Sequence, residues 1–250
     1  MAGSRRALAW LPNAVTSGNL LLGFFSIHYS LHAMDQGLGA GDPAFATACW
    51  LILWATIGDV LDGKLAKTLD ASSDFGMRLD TFADAVTFGM APAVLIHAAF
   101  LQSHRGELLL VLAPAAYFLA ACYRLARYNV QTAETPRFGF TGVPTPTGAL
   151  ITTSLYLCTQ DAPLPAAWVG GLLVLLALAM VSPLRYPALK GLKPREVVVI
   201  LVGVSLLMLA TIRFGAPIVV FATFGSFALL WGYWWIPSRH LWVPGVRQGD

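Results

Sequence analysis

Between Gly58 and Asp84 the chain reads GDVLDGKLAKTLDASSDFGMRLDTFAD, and six of its thirteen acidic residues fall in that stretch. Four of the six are spaced for chemistry. Asp59 and Asp62 stand at i, i+3, and Asp80 and Asp84 at i, i+4, so on helices each pair occupies one face. The linking KTLDASSDF is short and polar, which makes the two helices antiparallel neighbours and lets four carboxylates converge on one pocket. Carboxylates gathered in this way repel one another, and the nearby Lys64 and Lys67 are too few to neutralise them all. The ligands are oxygens, with no His or Cys at ligand spacing, a set that suits hard divalent cations. Two such ions bridged by carboxylates suit phosphoryl chemistry. Gly63 lies one turn after Asp59 and Gly76 one turn before Asp80. A missing side chain there either admits a ligand to the helix backbone or serves close helix packing. Asp70 and Asp74 fall in the polar link and read as solvated surface.

The elements that must hold these residues are membrane helices. Of the 250 residues, 57% are hydrophobic and only 12% charged, against roughly 25% charged in a soluble domain. Mean hydropathy is +0.66. An all-α polytopic membrane protein follows, occupying residues 1–250 as one membrane-embedded domain. About 20 helical residues cross a bilayer core of about 30 Å, and the apolar runs give eight spans. These are roughly 14–33, 43–66, 76–101, 107–129, 144–160, 166–184, 196–212 and 216–236, the fifth and seventh being short. The N-terminal run, interrupted by Pro12 and Asn13, reads as a retained first helix rather than a cleaved signal. With the N-terminus inside, fourteen Lys and Arg residues lie on the inner side and only Arg105 and Arg213 outside. Both termini, and the Asp-rich ends of spans two and three, are therefore expected at the cytoplasmic face of the cell (inner) membrane. Cys49, Cys122 and Cys158 sit in apolar runs without CxxC spacing and read as packing residues, and the five histidines share no spacing.

The pattern D-x2-D-G-x2-A-x9-G-x3-D-x3-D, from Asp59 to Asp84, resembles the signature of the CDP-alcohol phosphotransferase family. Where the family usually has Arg after the alanine, this chain has Lys67, which keeps the charge and loses the bidentate fork. Further stretches resemble the phosphatidylserine synthase branch: LPNAVTSGNLLLGFFSI, SDFGMRLDTFADAVTFGMAPA, YRLARYN, FTGVPTPTGA and VSPLRYPALK. The likeness runs to about residue 195, so the resemblance implies a catalytic core of about 10–195 followed by two spans within about 196–236.

The resemblance also implies a reaction. CDP-diacylglycerol would place its pyrophosphate on two divalent cations, Mg²⁺ or Mn²⁺, and its acyl chains in the bilayer. The hydroxyl of L-serine would attack the phosphorus bearing the diacylglycerol, and CMP would leave. Carried over by position, Asp59, Asp62 and Asp80 hold the metals and Asp84 completes the site as the base for the hydroxyl proton. Gly63, Ala66 and Gly76 make room for cytidine and ribose, and Lys67 faces the phosphates. The implied partners are these substrates, membrane lipids and a second copy in a homodimer, with no nucleic acid. Independently of the family, a metal-clamped pyrophosphate leaves readily, and a serine hydroxyl needs a positioned carboxylate to take its proton.

Arg124 and Arg127, at i, i+3 beside Asn129, form a candidate anion site for a serine carboxylate or a lipid phosphate; the plainer alternative is interfacial snorkelling. Two rival functions are weighed against the serine reaction. A sister enzyme would use choline, inositol phosphate or glycerol phosphate as acceptor. A divalent-cation transporter would place its carboxylates near the midplane with repeat symmetry, whereas these sit at one end and no repeat is visible.

Overall fold

The first helix shows how this chain solves the membrane problem. Helix α1 (Leu11–Asp35) starts with proline in its first turn, where no N–H is needed, and buries Pro12, Thr16, Asn19, Gly23, Ser26, Ser30 and Ala33. These small and polar residues recur every three or four positions, while Leu21, Phe24, Phe25 and Leu31 point outward. Large apolar side chains outside and small ones inside invert the soluble pattern, as expected where lipid replaces water. Close approach follows: Ser26 Oγ donates to the Ala48 carbonyl of the next helix at 2.9 Å.

The structure is a computed structural model that describes residues 10–39, 41–68, 73–101, 107–134, 140–159, 164–183 and 185–186. After α1 come α2 (Pro43–Thr68), α3 (Asp74–Asp84), a π-helical turn (Ala85–Met90) and α4 (Ala91–Leu101). Then follow α5 (Leu109–Glu134), α6 (Thr145–Thr159) and α7 (Ala166–Val181). Helix α3, the π-turn and α4 run on without a break, so the described elements make six helical rods. Strand structure among the described residues is limited to β1 (Phe140–Thr141) and β2 (Arg185–Tyr186), paired antiparallel with Phe140 opposite Tyr186. The chain is a membrane protein whose described residues are helical apart from that short pair. Among the described residues, three helical stretches are long and apolar enough to cross a bilayer: Pro43–Gly63, Asp74–Phe100 and Leu109–Val130.

The expected spans of residues 14–33, 43–66, 76–101, 107–129, 144–160 and 166–184 each meet a helix. Those expected at 196–212 and 216–236 lie outside the described residues. At 15 residues, α6 is about 22 Å long, short of a bilayer core as its sequence foretold. It is buried almost throughout, including Thr145, Thr147, Thr152, Thr153 and Ser154. Two of those hydroxyls turn back on their own helix: Thr152 Oγ1 donates to the Gly148 carbonyl and Thr153 Oγ1 to that of Ala149. The core joins Phe45, Ile52 and Leu53 of α2 to Phe88, Leu95 and Ile96 of the central rod and to Tyr117 and Tyr156. The three cysteines are free thiols, and Cys49 is buried, as packing residues should be.

Candidate active site

Helix α2 touches the rod made of α3, the π-turn and α4, and α1 packs on both more closely than they pack on each other. Glycines explain the approach. A Cβ at Gly58 would collide with the Asn19 side chain, and one at Gly76 would lie 2.8 Å from Asn13 Oδ1. The two acidic helices are thus also held together across α1.

Across that junction the carboxylates of Asp59, Asp62 and Asp80 place oxygens within 4.8 Å of one another. Asp62 is 4% exposed, with Asp59 and Asp80 half-buried. Among the described residues, the hydrogen bonds that reach the cluster are neutral. Thr16 Oγ1 donates to Asp62 Oδ2 at 3.0 Å, and Asn19 Nδ2 lies 3.5 Å from the same oxygen. Three all-oxygen donors so close, oriented by neutral partners, fit a hard divalent cation in type and in charge. Asp84 stands one turn beyond Asp80, half-buried, and within electrostatic reach of Asp59, Asp80 and Arg124.

The remaining candidates sort by their surroundings. Gly63 is exposed, with nothing within 4 Å of where its Cβ would be, so the backbone there is open to a ligand. Gly76 differs: its missing side chain is taken up by Asn13 and by Ser73, whose Oγ caps α3 by accepting from the Gly76 N–H at 3.0 Å. Asp74 is the first residue of α3 rather than part of the link, exposed at a helix N-terminus where an acid is favoured. Ala66 and Lys67 fall on the last turns of α2, and their side chains, like all of Asp70, lie outside the described residues.

The two arginines of α5 part company. Arg127 Nη1 donates to the Val181 carbonyl at 2.8 Å, and its Nη2 lies 2.9, 3.0 and 3.3 Å from the carbonyls of Thr141, Met180 and Ser182. Its guanidinium also lies 5.7 Å from the centre of the Tyr123 ring. It ties the open C-terminal carbonyls of α7 to β1, a task for the planar fork of arginine. Gly142, at φ +80°, is required beside this knot, because a Cβ would overlap the Met180 carbonyl. Arg124 is 6% exposed and, among the described residues, has one long contact, Nη1 to Thr145 Oγ1 at 3.4 Å, with its Nε unpartnered. A guanidinium carries five N–H donors, so Arg124 is a buried cation with donors to spare near Asp84.

The contribution of α1 to the site lies outside the residues expected from the sequence. Asn13, Thr16 and Asn19 recur at i, i+3, i+6 in an otherwise apolar helix, and that spacing alone was a legible sign of an inward polar stripe.

The acidic half of this arrangement has a known home. The family model of CDP-alcohol phosphatidyltransferases matches residues 9–182. The chain belongs to that family. Its curated relatives include the CDP-diacylglycerol–serine O-phosphatidyltransferase of Helicobacter pylori (strain J99), 29% identical over 226 residues, 88% of each chain. The Bacillus subtilis protein of the same name is 30% identical over 181 residues, 72% of this chain and 92% of that one. The archaetidylserine synthase of Methanothermobacter thermautotrophicus is 31% identical over 184 residues, 73% of this chain and 71% of that one. The family match takes in every candidate residue from Asp59 to Arg127 and stops near the end of α7.

Proposed function

We propose that this protein transfers the phosphatidyl group of CDP-diacylglycerol to the hydroxyl of L-serine, forming phosphatidylserine and CMP. The observation that carries this reading is the juxtaposition of two unlike poles: three converged carboxylates and, beyond Asp84, a buried arginine with unused donors. The relatives named for serine transfer support the choice of acceptor.

Asp59, Asp62 and Asp80 would hold two divalent cations, Mg²⁺ or Mn²⁺, with Asp84 completing the set. Such ions, when bound, neutralise the pyrophosphate and the charge that develops as CMP leaves. The chain's own residues do the rest. Thr16 and Asn19 fix the orientation of Asp62. The open backbone at Gly63 would leave room for cytidine and ribose, whereas the space at Gly76 is filled by Asn13 and Ser73. Ala66 and Lys67 keep the nucleoside and phosphate roles that the family resemblance implies. Arg124 receives the acceptor carboxylate, which puts the serine hydroxyl near Asp84, the base that takes its proton. Arg127 keeps its place in the acceptor region by holding β1 and α7 against α5, so that Thr145 meets Arg124. The scissile bond is P–O to CMP, the new bond is P–O to serine, and the hydroxyl proton ends on Asp84.

The same reading places the chain in the cell (inner) membrane with eight spans, both termini and the site on the cytoplasmic side, where CDP-lipid and free serine meet. Residues 1–250 form one domain, its core at about 10–195 and its last two spans within about 196–236, and the protein works as a homodimer. The test is an acceptor panel: purified protein, CDP-diacylglycerol and Mn²⁺ or Mg²⁺, with CMP release followed for serine, choline, inositol phosphate and glycerol phosphate. Release with serine alone is expected. Release with another alcohol instead would move the protein to a sister activity, and release with none would return the aspartates to cation transport.

A further inference from the structure

The central rod contains a fault that the proposed chemistry does not use. Between Asp84 and Ala91 the helix widens into the π-turn Ala85–Met90, whose end is marked by the Ala91 N–H donating to the Val86 carbonyl. Residue 92 is proline. In an α-helix its N–H would serve the Phe88 carbonyl, but proline has none, and its ring crowds that same oxygen. The carbonyl is buried with Phe88, and the hydroxyl of Tyr117, itself fully buried on α5, donates to it at 3.1 Å. Gly148 of α6 makes room for that phenol, since a Cβ there would lie 3.1 Å from the hydroxyl oxygen. The turn is pinned on its other side by Thr87, whose Oγ1 donates to the Asn19 carbonyl of α1 at 3.0 Å.

A π-turn accommodates one extra residue. Were it to relax to α-helix with the chain unchanged, one half of the rod would rotate against the other by one residue, about 100°. Both halves are committed: Asp80 to Asp59 and Asp62, and α4 to the core through Leu95, Ile96 and Ala99. We propose that Tyr117 is a positioning residue, its hydroxyl replacing the N–H that Pro92 lacks and so holding the π-turn that aims Asp80 and Asp84 at the carboxylate junction.

The proposal rests on the functional reading above for one readout, and a second readout is independent of it. Four proteins are compared: wild type, Tyr117→Phe, Pro92→Ala and the double variant. CMP release is measured with the preferred acceptor, and Mn²⁺ affinity by electron paramagnetic resonance. Tyr117→Phe keeps the ring, so kcat is expected to fall about tenfold and Mn²⁺ affinity with it, while the KM for CDP-diacylglycerol moves less than about twofold. Pro92→Ala returns an N–H for the Phe88 carbonyl, so in that background losing the hydroxyl should matter less than about twofold. Equal losses in both backgrounds, or wild-type kcat and Mn²⁺ affinity in Tyr117→Phe, overturn the proposal. If Tyr117→Phe does not accumulate, the comparison of Pro92→Ala with the double variant decides alone, and a larger loss there overturns it. Wild-type protein that releases no CMP with any acceptor would fail the functional reading, and Mn²⁺ affinities across the four proteins would still decide this one.

Discussion

Asp62 and Arg127 both bring charge into an apolar bundle, and they do opposite things with it. Arg127 spends its guanidinium on carbonyls of Thr141, Met180, Val181 and Ser182, all from its own chain. Among the described residues Asp62 receives Thr16, a distant Asn19 and the Gly63 backbone, all neutral, while two further carboxylates crowd it. A buried charge must be paired or neutralised. The pole that pairs within the chain is architecture, and in the proposed function the other pole is the one that binds the ligand. Arg124 shares an unpartnered Nε with Arg127 but has a single 3.4 Å contact among the described residues where Arg127 has four, and the proposed function groups it with the aspartates.

Substitutions can break that comparison, and the largest effect belongs to the acidic pole. Asp80→Asn should lower kcat at least about a thousandfold without changing the yield of folded protein, because the cluster serves the ligand and not the fold. Asp84→Asn should likewise abolish turnover while CDP-lipid binding stays detectable; wild-type turnover would remove it as the base. Arg127→Ala should act through stability. Several carbonyls lose a charged donor at about 1–3 kcal/mol for each one left unsatisfied, so the thermal midpoint in detergent should drop by several degrees. Lys in its place should not restore the midpoint, since it lacks the fork. Arg124→Ala should instead raise the serine KM about tenfold, roughly 1.4 kcal/mol, and leave the CDP-lipid KM nearly unchanged. An unchanged serine KM would place Arg124 with Arg127. The smallest effect is expected from Thr16→Val, which removes one neutral bond to Asp62, worth about 1 kcal/mol, and should weaken Mn²⁺ dependence about fivefold.

How far the sequence anticipated this depends on what each feature rests on. Aspartates at i, i+3 and i, i+4 announced themselves, because helical spacing is a property of the string and acid is rare in this chain. Six of the eight span positions are met by helices for the same reason: apolar length is additive along the chain. What stayed hidden was relational. Nothing in KTLDASSDF tells that α1 joins the two acidic helices, since that depends on Asn13 and Asn19 meeting glycines forty to sixty residues away. Arg124 and Arg127 looked alike at i, i+3, and only the carbonyls at the end of α7 separate them. The π-turn was half legible: Pro92 stands in plain view inside a long apolar run, but Tyr117, its complement, lies in another helix.

The acceptor panel tests the central claim most directly, because it asks both poles at once for their ligands. Purified protein supplied with CDP-diacylglycerol and Mn²⁺ or Mg²⁺ should release CMP when serine is added and form phosphatidylserine in equal amount. Release with choline, inositol phosphate or glycerol phosphate in place of serine, or with no alcohol in the panel, would contradict the account.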